Sequence, residues 1–168
     1  MKRVLLFTAV LLLMSGTVSS QEASLPGLFD PETFRESVDV RSSLATLTRA
    51  VDDPQAWETL SQRILVLDGV VSSLAVYVDE EDEYYAEIEL VAGAWQGVER
   101  VEIYRAWVVL DDPVFAGLLT ERPPRDPDPN LIVRNNRVLL AARLVDLFVE
   151  EDGTAVPVLV AYDIRNVR

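Results

Sequence analysis

The spacing of apolar positions changes once along this chain. From Asp30 to Arg63 they recur at helical intervals: Phe34, Val38, Leu44, Leu47 and Val51 predict one helix or two short ones, and Ala56, Trp57, Leu60 and Ile64 predict another. Asp30-Pro31-Glu32 and Asp53-Pro54 mark the starts, because an Asp oxygen can accept from orphan amides and proline suits the first helical turn. After Arg63 the period drops to two. Residues 64–78 predict a long strand bent at Gly69, and in residues 85–95 Ala86, Ile88, Leu90 and Ala92 oppose Glu87 and Glu89. Residues 101–110 predict a third strand, 131–149 a fourth strand region and 155–167 a fifth, with Val156, Val158, Val160, Tyr162 and Ile164 on one face.

The breaks between strands carry turn chemistry. Asp111-Asp112-Pro113 should cap a brief helix over 114–119, and Pro123, Pro124, Pro127 and Pro129 force an extended surface connection. Gln96-Gly97 and Glu151-Asp152-Gly153-Thr154 read as tight turns.

Three strands in a meander, a short helix and a closing hairpin make the order of the OB-fold, a five-stranded Greek-key barrel. Gly69 fits this reading, since the first strand must bend to serve both sheets of the barrel. The expected fold is therefore mainly β: an OB-like barrel over residues 63–168, preceded by a linker and a short α-helical extension over 21–62. Through Leu67-Asp68-Gly69-Val70, Trp95-Gln96-Gly97 and Val160-Ala161-Tyr162-Asp163-Ile164, the chain resembles the small secreted bacterial OB-fold proteins of periplasmic type. It lacks their Asp-x-Thr-Gly turn between strands two and three. The resemblance implies ligand or ion binding without catalysis, and leaves the ligand open.

Residues 1–20 have the layout of a secretory signal peptide. Lys2 and Arg3 precede an apolar run from Val4 to Met14, and small residues follow to Ser20. Cleavage after Ser20 would leave a mature chain that begins at Gln21 and has no membrane span, working in the periplasm or outside the cell. An uncleaved anchor is the competing reading, but the apolar core is short for it.

Composition removes most chemistry. The chain has no Cys and no His, so disulfides, thiol nucleophiles, Cys- or His-ligated metals and histidine-based triads are excluded, and no cofactor is implied. The formal charge of −13 becomes −15 once Lys2 and Arg3 are removed. That sign repels phosphate backbones and anionic lipids, so the expected partner is a small molecule or an extracytoplasmic protein and not a nucleic acid.

Few residues are left as candidates for a site. Asp79, Glu80, Glu81, Asp82 and Glu83 offer oxygens for a hard cation, yet without the spacing of a calcium loop they read equally as a solvated connection. Glu87 and Glu89 share a strand face at about 7 Å, a separation open to a glycosidase pair or simply to a soluble sheet. On the third strand Val101, Ile103, Arg105, Trp107 and Val109 share a face, and period alone does not say whether it points inward. If it points outward, Trp107, Arg105, Glu87 and Glu89 form a ligand-binding set on the face that OB-folds use. If not, Trp107 packs under the helices while Arg105 pairs with a glutamate. Trp57 and Trp95 read as core, and Arg122, Arg125 and Arg134 as charge compensation. The leading reading is a non-enzymatic binding module, followed by a structural or envelope-assembly protein and then by a carboxylate hydrolase.

Overall fold

A computed structural model describes residues 30–79, 83–122, 124–126 and 128–167. The proposed signal peptide lies outside these residues, as do acids 80–82 of the charged run. In chain order the elements are α1 (Pro31–Ser37), β1 (Val38–Asp39), α2 (Leu44–Ala50), α3 (Pro54–Ser61), β2 (Ile64–Asp79), β3 (Tyr84–Gln96), β4 (Arg100–Leu110), a 3₁₀ turn (Pro113–Phe115), β5 (Arg137–Val149) and β6 (Ala155–Val167).

Strands β2, β3, β4, β6 and β5 pair in that order, and β5 pairs back with β2, so five strands close a barrel. Within the barrel the ladders are antiparallel except the one between β4 and β6, which is parallel and limited to Trp107–Val109 against Val158–Val160; the short β1 runs parallel to the start of β2. This is the OB-fold arrangement. Period-two alternation fills its interior with Leu65 and Leu67 from β2, Ala86, Ile88 and Leu90 from β3, Ala106, Val108 and Leu110 from β4, and their counterparts on β5 and β6.

Gly69 is where β2 changes partners. Residues up to Val70 pair with β5, and from Val70 onward the partner is β3. A Cβ at Gly69 would lie 2.7 Å from Leu90 Cγ and 3.0 Å from the carbonyl oxygen of Val91. The bend brings β3 into space that any side chain would occupy.

The helices contribute to the same core. Leu44, Leu47 and Ala50 of α2 and Leu60 of α3 join the barrel interior in one apolar cluster, and α2 touches β2, β3, β4 and β6. A helix touching four of the five strands closes an end of the barrel. Local chemistry sets its start: Ser43 and Thr46 form a reciprocal capping box, and the Asp39 carboxylate accepts from the amides of Arg41 and Ser42 and from the Ser42 hydroxyl. Among the described residues no helix is long and apolar enough to cross a membrane.

Several boundaries differ from the sequence expectation. The helix expected over 114–119 stops at Phe115, and Gly117 follows with φ +71, a left-handed conformation that breaks the turn. The fourth strand starts at Arg137, not 131, because Ile132 instead bridges Leu119 and closes the base of the proline-rich loop. The face expected to run from Val156 to Ile164 is split. The register skips Tyr162, so Leu159, Ala161 and Ile164 turn inward while Tyr162 stands in solvent.

Candidate functional site

β4 sends Tyr104, Ala106, Val108 and Leu110 into the barrel, which leaves Val101, Ile103, Arg105, Trp107 and Val109 on its outer face. The antiparallel register sets Val109 against Glu87, Trp107 against Glu89 and Arg105 against Val91. The four residues singled out in the sequence therefore share one outward face of β3 and β4. The alternative in which Trp107 lies beneath the helices does not hold, although Arg105 does pair with glutamates.

Arg105 sits at the centre of an ionic cluster. Its Nη1 and Nη2 reach the two carboxylate oxygens of Glu150 at 2.9 and 2.8 Å, and Nη1 also lies 3.3 Å from Glu89. Glu89 further accepts from the Ser72 hydroxyl. The Glu150 hydrogen bonds raise the Arg105 pKa against the opposing effect of partial burial. Arg105 is thereby committed within the protein and joins the end of β5 to the centre of β4.

Beside this cluster is a cleft of about 240 Å³ lined by Glu87, Trp107, Val108, Val109, Phe148 and Val158. Trp107 and Phe148 form two of its walls, with ring centroids 6.5 Å apart and planes at 81°. The indole N–H of Trp107 is shielded from solvent and meets no acceptor among the described residues. Tyr85 and Tyr77 donate to Glu87 at 2.7 and 3.3 Å, and their own rings lie 5.6 Å apart. The hydrogen bond to Glu87 pushes the Tyr85 pKa up to about 12, and the Glu87 charge raises that of Tyr77. Both phenols stay neutral and hold the carboxylate that lines the cleft. A wider depression of about 790 Å³ beside α3 is lined by residues such as Glu36, Thr46, Asp53 and Gln55, with no aromatic side chain.

Phe148, Tyr77 and Tyr85 were not among the residues the sequence suggested. Alternation from Leu140, Ala142 and Leu144 would place Phe148 inside, but the register skips Val145 and inverts the parity of the rest of β5, so that Phe148 faces outward. Tyr77 is likewise skipped between Val76 and Val78. Trp95, expected in the core, is 70% exposed. It shares parity with Glu87 and Glu89, and that was the available signal. Together with Val101 and Ile103, it forms an apolar patch on the outer side of the β3–β4 hairpin.

The acidic run gives less. Glu83 is exposed, while residues 80–82 lie outside the described residues, and with them most of the suggested oxygen set of Asp79, Glu81, Asp82 and Glu83. Among the described residues no group of three or more potential ligands is placed to hold a metal ion.

No protein-family model matches the chain, and no curated protein sequence matches it. A solved structure, the dimeric N-terminal domain of PriB protein from Thermoanaerobacter tencongensis, is similar over 62% of this chain and 96% of its own length, with 17% identity and a TM-score of 0.36. The fold assignment rests on the closed strand order described above. One expectation is corrected here: with the outer face of a closed OB barrel at the surface, net charge alone does not exclude a nucleic-acid partner. Net charge averages over the whole surface, whereas the outer face of an OB barrel is a local environment that serves oligonucleotide and oligosaccharide binders alike.

Proposed function

We propose that this chain is a non-enzymatic binding module that works outside the cytoplasm and takes its ligand on the outer face of β3 and β4. The observation that carries the reading is the outward Trp107 beside a cleft closed by Phe148 and Glu87. An OB barrel fills its interior with side chains, so a ligand site belongs on this face. Trp107, Arg105, Glu87 and Glu89 keep distinct roles: Trp107 offers a contact surface, Glu87 an anionic edge, and Arg105 with Glu89 the frame beside them. Glu87 and Glu89 are each bound up with hydroxyl or guanidinium donors, an arrangement that suits recognition better than proton transfer.

The test is a ligand panel read by melting temperature, repeated with Trp107→Ala. A ligand whose stabilising shift disappears in the variant supports the face. A ligand shift that survives unchanged places the site elsewhere, and glycoside turnover abolished by Glu87→Gln would establish the hydrolase reading. An oligonucleotide acting through Trp107 would keep the face and name the partner class. The location is tested separately, by intact mass of extracytoplasmic material. A chain starting at Gln21 supports export, and a full-length chain held in membranes rejects it.

The apolar patch of Trp95, Val101 and Ile103 favours a second reading, an envelope-assembly protein that docks through the β3–β4 hairpin. Capture of an envelope protein that is lost on Trp95→Ser but kept on Trp107→Ala would select it.

A further inference from the structure

We infer that the cleft between Trp107 and Phe148 receives an alkylammonium head group. This rests on the reading that the outer face of β3 and β4 is the binding face, and goes further by naming the chemistry the face selects. Two aromatic rings stand nearly perpendicular, at 81°, and form a corner with a carboxylate beside it. A cation is attracted to ring faces and to a carboxylate at once, and a positive group in such a corner meets the negative potential of all three.

The cleft also lacks anything that would repel a cation. None of its six lining residues is basic, and the nearest guanidinium on the face, Arg105, is held by Glu150 and Glu89. Glu87 has no basic partner among the described residues, and receives only the hydroxyl hydrogens of Tyr85 and Tyr77. Those hydrogen bonds fix the carboxylate without cancelling its charge. An anionic ligand would meet the Glu87 charge with no basic side chain in the lining to compensate it. A neutral apolar ligand would leave that carboxylate desolvated against it. The volume, about 240 Å³, is the liquid share of about eight waters, which suits a head group and its first methylenes rather than a large ring system. The formal charge of −13 draws cations toward the surface at long range. The shared chemistry is an ammonium carrying alkyl groups, either free as in choline or at the end of a protein side chain as in trimethyllysine.

The experiment compares choline with its uncharged isostere 3,3-dimethylbutan-1-ol on the full-length protein, following the three tryptophan indole N–H signals by NMR. Trp107→Phe assigns the Trp107 signal and keeps an aromatic wall. Choline is expected to move that signal saturably, the isostere to leave it in place at equal concentration, and Glu87→Gln to weaken choline about tenfold. Nα-acetyl-trimethyllysine amide distinguishes the sources: binding tighter than choline points to a protein side chain, weaker binding to a free ligand. Equal response to choline and the isostere overturns the ammonium inference while leaving the binding face intact. A choline response that persists in both Phe148→Ala and Glu87→Gln places the cation elsewhere and overturns it too, as does a Trp107 signal that choline leaves unmoved. The binding face itself is judged by the separate ligand panel with Trp107→Ala, so the two failures are distinguishable.

Discussion

Arg105 and Glu150 meet in a two-pronged ion pair, at 2.9 and 2.8 Å, that ties the outer face of β4 to the end of β5 beside the aromatic cleft. Arg105 is about one third exposed, so solvent screens much of the attraction. Glu150→Gln is expected to lower stability by about 0.5–1 kcal/mol, with the loss shrinking as salt rises. Chemical denaturation at low and high ionic strength measures it, and an unchanged loss at high salt would show that packing and not charge carries the effect.

Trp107→Ala should cost about 1–2 kcal/mol, from lost area and the edge-on contact with Phe148. The ring is half-buried on the outside of the barrel, so the cost should fall short of the 2–5 kcal/mol or so expected for Leu47→Ala in α2, whose side chain is fully buried among barrel residues. Denaturant midpoints of the two variants give the comparison. If Leu47→Ala proves milder than Trp107→Ala, the helix is an appendage to the barrel and not part of its core.

Gly69→Ala drives a methyl group into Leu90 and the Val91 carbonyl. It is expected to destabilise by about 1–3 kcal/mol or more. Shortening Leu90 in the same chain should recover little, since the main-chain oxygen at 3.0 Å stays in place. Full recovery in the double variant would show that only the side chain opposes a Cβ there.

Acid stability should involve Asp39. Burial alone would raise its pKa, but the amides of Arg41 and Ser42 and the Ser42 hydroxyl outweigh that and hold it below the ordinary value of 3.8. A carboxylate depressed in the folded state contributes stability that is present above the unfolded pKa and lost as pH falls through the folded one. Asp39→Ala is therefore expected to cost about 1 kcal/mol at neutral pH and progressively less below about pH 4. Urea midpoints against pH follow this, and a constant difference down to strongly acid conditions would remove Asp39 from the account.

Tyr85 gives an alkaline signature of the cleft. Its hydrogen bond to Glu87 favours the neutral phenol and moves its ionisation from 10.0 to about 12. The stability it lends is complete below its unfolded pKa and is lost as pH rises through the folded value. Tyrosinate absorbance should show a late transition in the native protein that moves back toward the ordinary value in Glu87→Gln. No movement would mean that the two groups are not joined in solution.

What the sequence determined by itself is the part of the structure written in local rules. The change from helical period to alternation at Arg63, the Asp-Pro helix starts, the five strands in OB order and the bend at Gly69 all follow from residues close in the chain, because backbone preference and pleat period act over a few positions. The absence of His and Cys excluded whole chemistries before any fold was known. Three things were decided only by tertiary structure. Alternation showed that residues 101–110 have two unlike faces, but which one is buried depended on the strands that close the barrel around Ala106 and Val108. Phe148 reached the outside only because β5 skips Val145 to keep register with β6, and that shift is set by partners distant in sequence. α2 entered the core because Leu44 and Leu47 met the open end of a barrel that assembles from residues after them. The cleft depends on those same long-range choices, and so Trp107 could be named from the sequence but the ring opposite it could not.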